Sequence, residues 1–130
     1  MTEPSTPEIA AANAPPATDA AALERLMRFG GGKLLNEMIA LFLNAAPERL
    51  GAARSAVDAG DVHATEMALH SLKSSAAQLG AMRMHRLSEQ GELLARTGTL
   101  DGVAALVQGL EDEYPNVKTW LEQSRVPVTT

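Results

Sequence analysis

The chain contains no cysteine in its 130 residues. It can therefore form no disulfide and offers no thiolate to a metal, which fits a reducing compartment. Aromatic residues are nearly absent too: Phe29, Phe42, Tyr114 and Trp120 are the full set. Any core must be built from Leu, Ala, Met and Val, a palette weighted towards helices over strands. No apolar run approaches the ~20 residues that span a bilayer. There is no basic stripe, and a formal net charge of −5 argues against nucleic acid, whose phosphates need neutralising. Two-residue alternation is never sustained, so nothing signals a sheet. What remains is enough chain for one domain with a real core and too little for two. A cytoplasmic protein without membrane or nucleic-acid partners is expected.

Residues 1–17 hold Pro4, Pro7, Pro15 and Pro16 among Ala, Thr and Ser, with Ile9 the one large apolar residue after Met1. Such a segment cannot bury enough surface to offset its ordering entropy, so a disordered tail is expected. Its early charges are Glu3 and Glu8 and it has no leucine-rich stretch, which does not suit a signal peptide. The domain is expected over residues 18–124, followed by a short flexible C-terminal tail, 125–130.

Helical signals fill the domain. Asp19 can cap a short helix through Leu23, Leu26 and Met27, which stops at Gly30-Gly31-Gly32. From Lys33, apolar residues recur three and four apart at Leu35, Ile39, Phe42, Ala46, Leu50, Ala53 and Val57. Pro47 lies inside this second helix and should kink or divide it. Gly60 then ends one helix and Asp61 caps the next. The third helix is expected from Val62 to Leu79, with Gly80 closing it. A fourth runs from Met82 to Thr97, its inward residues Met84, Leu87, Gly91 and Leu94. The fifth begins near Asp101 on a seam of Val103, Val107, Leu110, Tyr114, Val117 and Leu121, and Pro115 should bend it. Short connections make the long helices antiparallel neighbours. The expected fold is all-α: an antiparallel four-helix bundle with a short additional N-terminal helix.

The most informative stretch is His70-Ser71-Leu72-Lys73-Ser74-Ser75-Ala76-Ala77-Gln78-Leu79-Gly80-Ala81. At ~100° per residue, Leu69, Leu72, Ala76 and Leu79 form one narrow apolar stripe. His70 lies off that stripe, with Lys73, Ser74 and Ala77 on its side of the helix. The imidazole should face water, beside a cation and a low-relief surface. A histidine displayed this way suits a nucleophile that must meet a large partner.

This stretch resembles the signature of the histidine-containing phosphotransfer (HPt) domain of multistep phosphorelays, close to H-x-x-K-G-S-S-x-x-L-G. His70, Lys73, Ser75, Leu79 and Gly80 match, and the usual glycine after the lysine is Ser74 here. Downstream, Glu92 and Arg96 stand where the family's L-E-x-x-x-R-like stretch places a Glu and a basic residue. The resemblance runs from about Leu23 to about Leu121. It implies a phosphorelay intermediate that accepts a phosphoryl group on His70 from a receiver-domain aspartate and passes it to another receiver. It implies no kinase activity of the chain's own and no bound cofactor, the catalytic Mg²⁺ belonging to the receiver. The implied partners are response-regulator receiver domains and a hybrid sensor histidine kinase, met by a monomer.

Each candidate residue has a reading from its own chemistry. A neutral imidazole attacks through one nitrogen while a hydrogen bond on the other fixes the tautomer. Glu66, four residues before His70, can orient the ring or favour its cation, and both stay open. Lys73, one turn along, is placed to meet phosphoryl oxygens, although most helix lysines are simply solvated. The Ser74 hydroxyl either donates to the phosphoryl group or crowds the partner. Ser75 lies nearer the buried side and should bond a carbonyl of its own helix. Gly80 reads as a helix C-cap. Met67 and Ala77, together with Ser74, are candidates for partner docking. His63 lies ~10.5 Å from His70 along the axis, near the same face and too far to share a metal. His85 should face solvent, and Glu89 and Glu92 beside it read as an ordinary charged face. No metal site is expected. The alternative function is a non-catalytic helical adaptor that docks signalling partners, suggested by Ser74. A small acid–base enzyme on His70 and Glu66 is weaker, because a shallow face lacks a water-excluding pocket.

Overall fold

Caps set the helix boundaries in the computed structural model, which describes residues 16–128. Asp19 accepts from the Ala21 N–H at the start of α1, Ala20–Ala59. Gly60, at a left-handed φ of 70°, closes α1, and Asp61 accepts from the Ala64 N–H to open α2, Val62–Leu79. Gly80 closes α2 in the same left-handed way (φ 79°). A Cβ there would also run into the Asp19 carbonyl, so only glycine lets the start of α1 come this close. α3 spans Met82–Arg96 and α4 Val103–Ser124. No strand occurs among the described residues, and no helix among them is long and apolar enough to cross a membrane.

The four helices pack in a ring. α2 lies between α1 and α3 and α4 between α3 and α1, and the backbones of the diagonal pairs stay further apart. The core follows the apolar stripes: Ile39, Leu69, Leu72, Met84, Val107 and Leu121 have no exposed surface. The expected all-α bundle is therefore present, and its differences from the sequence reading lie in the joints.

The expected short N-terminal helix is present as residues 20–30, the first part of α1. It meets the longer helix at a kink at Gly31, whose φ of 69° and ψ of −167° are the only non-helical angles within α1. Pro47 does not divide α1. It leaves the Leu43 carbonyl without its usual N–H, and the Tyr114 hydroxyl, 3.4 Å away, supplies a donor instead. That bond keeps Tyr114 half-exposed at the bundle edge, while Glu113 next to it is buried. Pro115 likewise sits inside an undivided α4, which starts at Val103, behind a left-handed Gly102 and later than Asp101.

The described segments that flank the helices are hydrogen-bonded to them on both sides. Residues 1–15 lie outside the described residues, but Ala17, expected in the tail, accepts from the N–H groups of Met82 and Arg83 at 2.9 and 3.1 Å. Ala81, the residue at the α3 start, makes no side-chain cap, so the Ala17 carbonyl takes over that task. At the other end, Asn36 both donates to the Val126 carbonyl (2.7 Å) and accepts from its N–H (3.1 Å). The Val126 side chain rests on Gly32, where a Cβ would sit 2.7 Å from it. Residues 125–126 thus strap the kinked part of α1.

A lost helix N-cap costs about 1 kcal/mol. A chain beginning at residue 19 should therefore be about that much less stable to urea than one beginning at residue 16. Equal midpoints would show that the Ala17 carbonyl contributes nothing to α3.

Candidate functional site

The helical phase of α2 puts His70 outside the core. Leu69 and Leu72 are fully buried on either side of it, while the His70 side chain keeps 58% of its surface exposed. The ring is nevertheless held from behind. Its Nδ1 lies 2.7 Å from Oε2 of Glu92 on α3, and Glu92 is only 2% exposed. An ionised carboxylate only accepts, so the proton of the neutral ring sits on Nδ1 and donates to Glu92. Nε2 is left with its lone pair directed away from that contact. This is the ring state that a nitrogen nucleophile requires.

Glu92 is the hub of a wider cluster. Lys73 Nζ lies 2.7 Å from its Oε1, an ion pair off the line of an aligned hydrogen bond. Arg96, one turn along α3, donates to Oε2 at 2.8 Å. Burial pushes the Glu92 carboxyl up, but Lys73 and His70 beside it outweigh that effect and hold the group below its ordinary value. A buried carboxylate without such partners would be costly. Close helix approach makes the arrangement possible: at Gly91, beside Glu92, an added Cβ would meet Leu69 Cδ1 at 2.7 Å. The glycine lets α3 press against the turn of α2 that carries His70.

Two sequence expectations change here. Glu66 does not touch the ring. Its carboxylate accepts from Arg96 Nε at 3.3 Å, so it steadies a neighbour of Glu92, and the residue that orients His70 is Glu92. Glu92 itself is no part of a solvated charged face. The match to the family's Glu was visible in the sequence, but its burial was not, because the three partners that permit it come from two helices.

The remaining candidates fall as follows. Ser74 is exposed beside His70. Ser75 donates to the Ser71 carbonyl of its own helix at 2.9 Å and accepts from Arg49 Nη1 at 2.6 Å, a contact no local pattern announced. Met67 is 56% exposed and His63 is exposed on the same helix, while Ala77 is half-buried. Gly80 caps α2 as expected and also receives the α1 start, its carbonyl accepting from the Asp19 N–H at 2.8 Å. His85 is not free in solvent: its Nδ1 lies 3.1 Å from the Lys73 carbonyl, a second tie between α3 and the turn of α2 that carries His70.

A family model described as the Hpt domain matches residues 37–120. No curated protein matches the chain significantly. Among solved structures, the chain is similar to the histidine-containing phosphotransfer protein B (HptB) of Pseudomonas aeruginosa PAO1. The TM-score is 0.79 at 27% identity, covering 86% of this chain and 96% of that one. Its fold is also similar to the HPT domain of the Hpt sensor hybrid histidine kinase from Shewanella. There the TM-score is 0.73 at 18% identity, over 86% and 97% of the two chains.

The lowered Glu92 carboxyl makes a prediction about acid. A group whose value is depressed on folding contributes stability above its unfolded value, near 4.5, and that contribution is lost as pH falls through the folded value. Glu92→Gln should therefore cost about 1–3 kcal/mol at pH 7, measured by urea unfolding. Its deficit against the unaltered chain should shrink steadily below the unfolded value. A deficit independent of pH would mean that the carboxylate's charge is not what matters.

Proposed function

The chain belongs to the Hpt domain family, the histidine phosphotransfer intermediates of phosphorelays, and we propose that His70 is its phosphoacceptor. The observation that carries this reading is the pairing of an exposed ring with a buried carboxylate 2.7 Å behind its Nδ1. Nε2 attacks the phosphorus of a receiver's aspartyl phosphate. The nitrogen–phosphorus bond forms as the phosphorus–oxygen bond breaks, and the departing electron pair stays on the aspartate carboxylate. No proton has to leave Nδ1. The product ring carries a phosphoryl group on Nε2 and a proton on Nδ1, and Glu92 stabilises its positive charge. Reversal of the step on a second receiver regenerates the neutral ring.

Lys73 faces Glu92 while the ring is unmodified. Once a phosphoryl group arrives, the same ammonium is within one helical turn of its oxygens and can pair with them. The receiver supplies the Mg²⁺ and the acidic cluster, and the chain needs no cofactor of its own. Receiver domains and a hybrid kinase are the partners in this reading, with a cytoplasmic monomer as the working unit. Ser74, Met67, Ala77 and His63 then border the contact. A pure adaptor would have no use for a buried carboxylate behind a solvent-facing ring, so the site favours transfer over the adaptor reading.

Two substitutions test the reading, with receiver domains charged by acetyl phosphate as donors and acid-labile phosphate as the readout. His70→Gln should abolish labelling, and because its amide can still donate to Glu92 the fold should lose no more than about 1 kcal/mol, the size of one hydrogen bond. Labelling that persists on His63 or His85 would move the site. Lys73→Ala should slow transfer without stopping it. A single lost electrostatic donor in a dry site costs on the order of 10²–10³ in rate, and this open face should lie at the lower end. An unchanged rate would remove Lys73 from the mechanism.

A further inference from the structure

Two cations reach the buried Glu92 carboxylate beside His70, and they are held differently. Lys73 Nζ lies 2.7 Å from Oε1, off the line of an aligned hydrogen bond. Among the described residues, Glu92 is the only acid within ion-pair distance of Lys73. Arg96 is held twice. Its Nη2 donates to Oε2 of Glu92 at 2.8 Å, and its Nε donates to Oε2 of Glu66 at 3.3 Å. Glu66 stands one turn before His70 on α2, and Arg96 one turn after Glu92 on α3. The two pairs therefore lie side by side across the helix contact. The Glu66 side chain is 30% exposed and that of Arg96 54%. Packing does not fix a guanidinium that open on a flexible stem; its two carboxylates do.

That second hold bears on the phosphoryl group. His70 Nδ1 and Arg96 Nη2 meet the same oxygen of Glu92, so the guanidinium sits about two hydrogen-bond lengths from the ring. A phosphoryl group on Nε2 brings concentrated negative charge and several acceptor oxygens. It draws any cation within reach, and a guanidinium meets it with a fork of parallel N–H groups. If Lys73 and Arg96 both turned to it, the phosphorylated ring would be stabilised before the next receiver arrived. Contacts made in that ground state have to be given up during transfer. Glu92 would also lose both cations at once, at a depth where a poorly paired carboxylate is costly. A second carboxylate on Arg96 prevents both.

We propose that Glu66 anchors Arg96 on Glu92 and away from the phosphoryl group, leaving Lys73 as the one cation that moves between the two. Glu66 is then a positioning residue that acts through Arg96 and keeps phosphorylated His70 ready for onward transfer. This rests on the phosphotransfer reading of His70. In the onward step the phosphorus–nitrogen bond breaks as a bond forms to a carboxylate oxygen of the receiver's aspartate, and the electron pair stays on Nε2. The neutral ring returns with its proton still on Nδ1, donating to a Glu92 that Arg96 has not left. A partly exposed ion pair adds little to stability; the value of this one lies in where it keeps the guanidinium.

The test uses the full chain and a purified receiver domain charged by acetyl phosphate. It reads the partition of the phosphoryl group between receiver and chain at equilibrium, and the single-turnover rate of onward transfer. Glu66→Ala frees Arg96. It should shift the partition towards the chain by about two- to fivefold and slow onward transfer by a similar factor, the size of one partly exposed ion pair. Glu66→Gln should act in the same direction but less, because its amide oxygen still accepts from Arg96. Neither change should appear in a chain that already carries Arg96→Gln. A shift that persists there assigns the effect to the charge of Glu66 itself and overturns the anchoring. NMR of the arginine Nε–H groups follows the guanidinium directly. In the unaltered chain the Arg96 Nε–H should exchange with solvent more slowly than in uncharged Glu66→Ala, both before and after His70 is charged. Urea unfolding confirms that each variant folds. Protection that vanishes on charging, or a partition that Glu66→Ala leaves unchanged, overturns the anchoring while label on His70 leaves the phosphotransfer reading standing. No label on His70 in the unaltered chain overturns that reading itself, and with it the task given to Glu66.

Discussion

Everything around His70 depends on one buried carboxylate. Glu92 sits at 2% exposure within 2.8 Å of His70, Lys73 and Arg96. A charge that deep is tolerable only because its partners come to it from two helices. The consequence runs in both directions. The cations hold the carboxyl ionised, and the ionised carboxyl sets the proton of His70 on Nδ1. Stability and reactivity are thus two readings of the same contact, and the surface ring is ordered without being buried.

The bundle is arranged to make that contact short. Gly91 lets Leu69 pack into α3, which lies next to Glu92 just as Leu69 lies next to His70. His85 adds a second tie, to the backbone of Lys73. At the base of the same pair of helices, Gly80 ends α2 and accepts the start of α1, while Ala17 caps α3. The turn that carries His70 is therefore braced on a rigid element, as the proposed transfer to a large protein requires.

The sequence made much of this legible, and the reasons for the rest are physical. The stripe of Leu69, Leu72, Ala76 and Leu79 placed His70 in water, and Gly60, Asp61 and Gly80 marked helix ends that the structure reproduces at Val62 and Leu79. Local pattern reads what a residue does for its own helix. It does not read pairings between helices, and the misses are of that kind. Glu92 looked like a surface acid because its burial is decided by residues up to 22 positions away. Arg49 gave no signal, since its bond to Ser75 spans 26 positions. Pro47 suggested a break, but Tyr114 satisfies the carbonyl that the proline orphans. Ala17 caps α3 through a backbone carbonyl, a group every residue has. At Ser74 the chain departs from the family's glycine, and the structure leaves that side chain exposed beside the ring, where it bears on partner approach more than on the fold.

The account's central claim is that Glu92 holds the neutral His70 ring as the Nδ1–H tautomer, with Nε2 as the nucleophile. Long-range proton–nitrogen NMR of the histidine side chains, taken on the neutral ring and again after charging with a phosphorylated receiver, tests it most directly. The account predicts a protonated Nδ1 and a pyridine-like Nε2 before charging, and phosphorus coupling to Nε2 of His70 afterwards. A ring protonated on Nε2, or a phosphoryl group on Nδ1, would contradict it.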